Sequence, residues 1–381
     1  MSIPPPRLAL DPTSARVERE FKHTRPLVGC RFDPSGRFLF VSSEDDSIQR
    51  YDLLTGTKTA FAGHKSWVRG MAFVASVPAG SLPDMTAWAK QKDALQAVVG
   101  AAAIAMPLPK PTPFTLISGD YHGKLIWWKG ESDSPQPVRT EDAHAGWLRA
   151  VAVSPDGKTL ASCGNDHMVK LWNTADGSAI RMLEGHESHV YNVAFHPDGT
   201  RLVSCDLKGI VKDWNLKTGA CVRDIDAKVL AKYDTGFMAD IGGARGIAFK
   251  SDGSAFALSG ITNVTNAFAG VGNPAVVLID WKDGKAKLLR TKENFQGTMW
   301  GVGFYPSGGI IAAGGGGQGR IWFWKGDDLA SVHTINVPAN ARDFAMNADG
   351  SRFAVATSNG SAYVYHFVPG APPVPPPKVK K

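Results

Sequence analysis

A glycine-closed turn is followed fifteen or sixteen residues later by Trp or Tyr with a polar or charged neighbour five times in this chain. The pairs are Gly36 to Tyr51, Gly157 to Trp172, Gly199 to Trp214, Gly308 to Trp324 and Gly350 to Tyr365. Turns such as Pro-Asp-Gly or Pro-Ser-Gly reverse the chain with positive φ at Gly, and the aromatic needs a packed strand position one hairpin later. Gly157 to Gly199 and Gly308 to Gly350 are each 42 residues apart. A period of that length is a mark of radial β-architecture. Gly36 to Gly157 exceeds two periods by 37 residues, while Gly199 to Gly253 and Gly253 to Gly308 exceed one by 12 and 13. These surpluses read as insertions, and seven units then use up nearly all of the 381 residues.

Within each unit, short runs alternate apolar and polar positions, as at residues 149–153, 159–162 and 168–172. Such alternation predicts antiparallel strands. The last unit stops at its third strand, residues 361–367, whereas the first is preceded by a strand-like run at residues 16–21. That run is expected to supply the missing fourth strand, closing the ring and hiding edges that would pair with other chains. The expected fold is therefore all-β: a seven-bladed β-propeller of four-stranded antiparallel blades over residues 16–367. An N-terminal tail (1–15) and a Pro-rich C-terminal tail (368–381) flank it.

The chain resembles the WD-repeat (WD40) family of β-propellers. Gly185-His186 and Gly63-His64 match the family's Gly-His before strand a; Trp172-Asn173, Trp214-Asn215 and Tyr51-Asp52 approximate its Trp-Asp ending strand c. The resemblance implies a hydrogen-bonded structural set, complete only in the third unit: His144, Ser162, Asp166 and Trp172. His122, Lys208, Gln318 and Asn359 stand where units two, four, six and seven would carry the aspartate. The family's geometry also puts the insertion at 75–112, between strands a and b of blade two, on the bottom face. The insertions at 228–241 and 261–273 go to the top.

No apolar run of 18 or more residues occurs and no signal peptide is evident, so a membrane span is not expected and the protein is read as cytoplasmic. Cys30, Cys163, Cys205 and Cys221 form no Cys-x-x-Cys pair; Cys163 and Cys205 follow equivalent strand serines and read as small buried thiols. The blade-two insertion contains a candidate helix at 84–99 after Pro83, with Trp88, Leu95, Val98 and Val99 as a stripe that packs on the propeller or meets a partner.

Aligning the units at the start of strand a brings out pairs of positions two residues apart, which project together from an extended segment. They read Pro26/Val28, Trp67/Arg69, Trp147/Arg149, His189/Tyr191, Gly243/Arg245, Thr298/Trp300 and Asn340/Arg342. In the family these positions face the top mouth. Arg and large aromatics are enriched in interface hot spots, and guanidinium suits carboxylate or phosphate. Trp67, Arg69, Trp147, Arg149, Tyr191, Arg245, Trp300 and Arg342 are thus the expected partner-binding residues, the partner being a protein with an acidic segment. The competing expectation is that the tryptophans pack against neighbouring blades, with the arginines stacked on them and paired to loop acids such as Asp234 and Asp240.

Catalysis is not expected. There is no Gly-x-Ser-x-Gly, His-Glu-x-x-His or Walker pattern and no metal-spaced His and Asp set; residues 314–319 mimic a phosphate loop but read as a turn. The expectation is a monomeric scaffold with no cofactor and no metal. A net charge of +7 permits anionic partners, but no nucleic-acid module appears. The alternatives are a propeller enzyme with a metal or cofactor in its channel and, further off, a nucleic-acid-associated scaffold.

Overall fold

The computed structural model describes residues 10–76, 110–266 and 271–368. They form seven four-stranded antiparallel sheets, each running outward from strand a to strand d. Strand a is Leu27–Phe32 in blade one, Val68–Ala75 in blade two, Leu148–Val153 in blade three and Val190–Phe195 in blade four. It is Gly246–Phe249, Thr298–Phe304 and Ala341–Met346 in blades five to seven. Blade three is representative: Thr159–Gly164, Val169–Asn173 and Ala179–Leu183 follow as strands b, c and d. The described residues hold no α-helix, only two three-residue 3-10 turns. Neither the candidate helix at 84–99 nor the Pro-rich tail from residue 369 falls within them.

Strand d of blade seven comes from the other end of the chain. Ala15–Lys22 pairs antiparallel with Ser361–Phe367, from Ala15 opposite Phe367 to Lys22 opposite Ser361. Side chains fasten the seam. Arg352 Nε donates to Glu18 at 2.6 Å, Ser361 Oγ to Glu20 at 2.9 Å, and Tyr51 Oη of blade one to the Lys22 carbonyl at 3.1 Å.

Seven apolar clusters stand among the described residues, one between each pair of neighbouring blades. Trp214, for instance, packs against Cys163, Leu171 and Leu183 of the preceding blade. Because both faces of every sheet are covered, strand b is buried along almost its whole length, as in Phe38–Ser43 and Ile310–Gly315. This explains runs such as Phe-Leu-Phe-Val, where alternation is lost. The glycine-rich segment of blade six is a hairpin turn between Ile310–Gly315 and Gly319–Trp324. Between strands d and a of blades four and five, Ala231–Asp234 and Ala239–Gly242 make a separate hairpin; strands b and c of blade five lengthen to Ala255–Asn266 and Val271–Asp280.

Candidate functional site

Three blades carry a continuous hydrogen-bonded chain beneath one rim of the disc. In blade three, Trp172 Nε1 donates to Ser162 Oγ at 2.8 Å, Ser162 Oγ to His144 Nε2 at 2.8 Å, and His144 Nδ1 to Asp166 at 2.8 Å. Donors and acceptors run in one direction only if the imidazole is neutral and the carboxylate ionised. Burial pushes the His144 pKa down. Burial works against the charge on Asp166, but the hydrogen bond from His144, the Met168 N–H and nearby Lys170 hold its pKa at about 2. Two further sets correct the expectation that blade three alone has one. His64, Ser118, Asp120 and Trp128 link in blade two at 2.7 to 2.8 Å. His186, Ser204, Asp206 and Trp214 do so in blade four at 2.7 to 2.9 Å. Their aspartates end strand b, so His122 and Lys208 do not occupy the acid's place; Asp166 instead sits in the following turn, two residues later relative to its serine.

The same rim, called the top here, carries the start of every strand a. A register shift skips one residue near that start in six blades: Val28, Arg69, Arg149, Tyr191, Trp300 and Arg342. A bulged residue has no partner opposite it and is aimed away from the ladder. In blade five Arg245 holds the corresponding place, its N–H bonded to the Ser259 carbonyl at 2.6 Å just before the strand. Bulges therefore deliver these side chains to the mouth of the ring, where most of them line a cavity of about 340 Å³.

Six of the expected residues join one stack. Trp147 lies flat on Tyr121, with centroids 4.3 Å apart and planes 3° from parallel, and Trp67 stands 6.2 Å beyond Tyr121. Arg149 lies 4.5 Å from the Trp147 ring and 4.4 Å from Tyr191; Arg245 lies 4.6 Å from Tyr191 and 5.3 Å from Trp300. Aromatic plane and guanidinium thus alternate from Trp147 of blade three to Trp300 of blade six. Each such contact contributes about 0.5 to 2 kcal/mol. Trp67 and Trp147 remain 40% and 45% exposed at the outer end, leaving ring surface free for contact.

Charge is distributed unevenly around this mouth. Asp343, buried in blade seven, accepts from Arg31 Nη1 at 2.6 Å and lies 3.8 Å from Arg69. Arg69 also donates to the Val28 carbonyl at 2.6 Å, and Arg342 pairs with Glu44. Arg149 and Arg245 have no carboxylate within ion-pairing distance among the described residues; Arg149 Nε donates to the neutral Asn165 Oδ1 at 2.8 Å. Burial pushes the Arg149 pKa down, and the charges of Arg245 and Arg69 push the same way. Arg245 Nε and Trp300 Nε1 are buried and lack any hydrogen-bond partner.

Arg69 and Arg342 are thus already neutralised, while Trp67, Trp147, Arg149, Tyr191, Arg245 and Trp300 come together. Asp234 and Asp240 pair with none of these arginines among the described residues; Asp234 caps its own turn through Gly236 and Phe237. The sequence reading missed Tyr121, Arg31, Asp343, Glu44 and Asn165. Tyr121 follows strand b at a position held by Glu44, Asn165, Leu207 and Ser358 in other blades, so no residue type repeats there, and the two acids lie hundreds of residues from the arginines they meet. Among the described residues, no group of three His, Cys, Asp or Glu side chains could hold a metal, and no helix is long and apolar enough to cross a membrane.

The profile described as WD domain, G-beta repeat matches residues 16–52, 135–173 and 177–214. The nuclear distribution protein PAC1 of Coccidioides posadasii is 30% identical over 141 residues, which cover 37% of this chain and 26% of the relative. The small ribosomal subunit protein RACK1y of Oryza sativa subsp. japonica is 34% identical over 77 residues, covering 20% and 22%. The target of rapamycin complex subunit wat1 of Schizosaccharomyces pombe is 27% identical over 165 residues, covering 40% and 52%. The matches span well under two thirds of each relative's length. Three matched WD repeats thus sit in a closed ring of seven four-stranded blades, the architecture that the WD-repeat likeness implies.

Proposed function

We propose that this propeller is a non-catalytic scaffold, working without a cofactor as a cytoplasmic monomer, that seats an acidic segment of a partner protein across its top mouth. The observation that carries this reading is the pair Arg149 and Arg245, held between aromatic planes with no carboxylate to neutralise them. Stacking fixes the guanidinium planes before binding, so less side-chain freedom is lost when an anion arrives. Trp67 and Trp147 add exposed ring surface of the kind that anchors interfaces. Two relatives bear names of assembly members, a small ribosomal subunit protein and a target of rapamycin complex subunit, and a scaffold role agrees with such company.

The test is binding of fluorescent glutamate-rich and neutral peptides to the full chain and to the Arg149→Glu, Arg245→Glu double variant. Selective binding of the acidic peptide should vanish in the double variant, which loses the stacking contacts and so melts lower, while circular dichroism shows it still folded at the assay temperature. Equal binding by both proteins would overturn the reading.

A further inference from the structure

The acid that this mouth takes can be specified from the donors left over in it. On the side of blades seven, one and two, each guanidinium already faces a carboxylate, Asp343 or Glu44. On the side of blades three to six, two guanidiniums face none among the described residues. There, too, Arg245 Nε and Trp300 Nε1 are withdrawn from solvent without an acceptor. A buried N–H left unmade carries the full cost of its lost hydration, so two of them on residues lining one cavity mark a place where an acceptor belongs. The cavity, about 340 Å³, is lined by Arg149, Tyr191, Arg245 and Trp300 together, with Gly246 and Gly301 keeping that wall bare. A Cβ on Gly246 would stand 2.9 Å from the Gly301 Cα, so no side chain fits between the two strands there.

A carboxylate brings one negative charge and two oxygens. Two uncompensated guanidiniums and the indole N–H ask for more. A phosphate monoester carries between one and a half and two charges near neutral pH and presents three acceptor oxygens, and planar guanidinium binds such an oxyanion through paired hydrogen bonds. We propose that the channel wall between Arg149, Arg245 and Trp300 is a phosphate-monoester site, filled by a phosphorylated serine or threonine of the docked segment or by free phosphate. This rests on the reading of the top mouth as the seat of an acidic segment and specifies its anchoring group. Both guanidiniums pack against the Tyr191 ring, 4.4 and 4.6 Å from its centroid, which limits their movement and keeps the two charges near one another. The carboxylates on the side of blades seven to two set the position by contrast: Asp343, shared by Arg31 and Arg69, and Glu44, beside Arg342, repel an incoming dianion there.

Three probes separate the outcomes: a glutamate-rich peptide carrying one phosphoserine, the same peptide with glutamate in its place, and inorganic phosphate alone. Each is titrated into the full chain, read by peptide anisotropy and by the intrinsic fluorescence of the tryptophans. The phosphopeptide is expected to bind roughly tenfold more tightly than its glutamate twin, the difference a charged hydrogen-bond set supplies. Arg245→Gln should erase that advantage. Trp300→Phe, which keeps an aromatic face for Arg245 but has a smaller ring without the N–H, should reduce it, and it remains informative if Arg245→Gln fails to fold. Saturable binding of inorganic phosphate that is lost in the same variants would support the site with the free anion as its occupant. Equal affinity for the two peptides, without a response to phosphate, would overturn the phosphate site while leaving the acidic-segment reading standing. Failure of all three probes to bind would overturn both.

Discussion

Ser162 shows how much one hydroxyl can hold in this fold. It accepts from Trp172 Nε1 and donates to His144 Nε2, both at 2.8 Å, deep inside blade three. Ser162→Ala strands two buried groups at once and should destabilise the chain by about 2 kcal/mol, read as a lower urea midpoint at unchanged slope. An unchanged midpoint would show that water replaces the hydroxyl. The same chain of bonds sets a pH response. His144 has a depressed pKa in the folded chain, so the unfolded chain takes up a proton on acidification that the folded one refuses, and stability falls as pH drops below the ordinary histidine value of 6.5. Asp166, held at about 2, adds stability that is complete above the ordinary value of 3.8 and drains away as pH falls towards 2. Both act in one direction. Urea midpoints at pH 7, 5.5 and 4 should decline in that order, and the further fall between pH 4 and pH 2.5 should be smaller in Asp166→Asn; a midpoint that rises between pH 7 and 5.5 would contradict the neutral imidazole.

At the level of strands, the repeat was readable because Gly-closed turns and strand-c aromatics are each required by local geometry, turn by turn. Gly157 and Gly199 have φ of 74° and 73°, where other residues are strained. What lay beyond sequence was everything set by a neighbour in space. Asp120 and Asp206 complete their chains from two residues past the serine and Asp166 from four, so a fixed template finds one set and misses two. The bulge in strand a breaks the very alternation by which strands are recognised, although aligning the units still singled out the bulged positions. The closing strand was readable because the last unit lacked a strand and the first had a spare. Its contribution can be measured: removing Ala15–Lys22 strips Glu18, Glu20 and Phe21 from the seam and exposes the edge of Ser361–Phe367. The melting temperature should fall by roughly 10 °C or more, since a lost strand costs several kcal/mol, and a synthetic peptide of residues 15–22 should restore part of it. A melt unaffected by the deletion would mean the seam contributes nothing to the ring.

For the molecule as a whole, closure of the ring decides where charge is free. Blade seven is brought beside blade one, so that Asp343 reaches Arg31 across 312 residues and Glu44 reaches Arg342 across 298; the far side of the mouth has no such pairing. One substitution tests it because stability and binding should move in opposite directions. Asp343→Asn removes the carboxylate that Arg31 and the Cys30 N–H share, 2.6 and 3.0 Å away. Loss of a buried partner should cost about 2 kcal/mol of folding stability. It also frees Arg31 and Arg69 to act on an incoming anion, so affinity for the glutamate-rich peptide should rise by roughly threefold at low salt and the gain should shrink as added salt screens it. If affinity falls with stability, Asp343 orders the mouth more than it neutralises it, and the division between a compensated and an uncompensated side would not be what selects the anion's position.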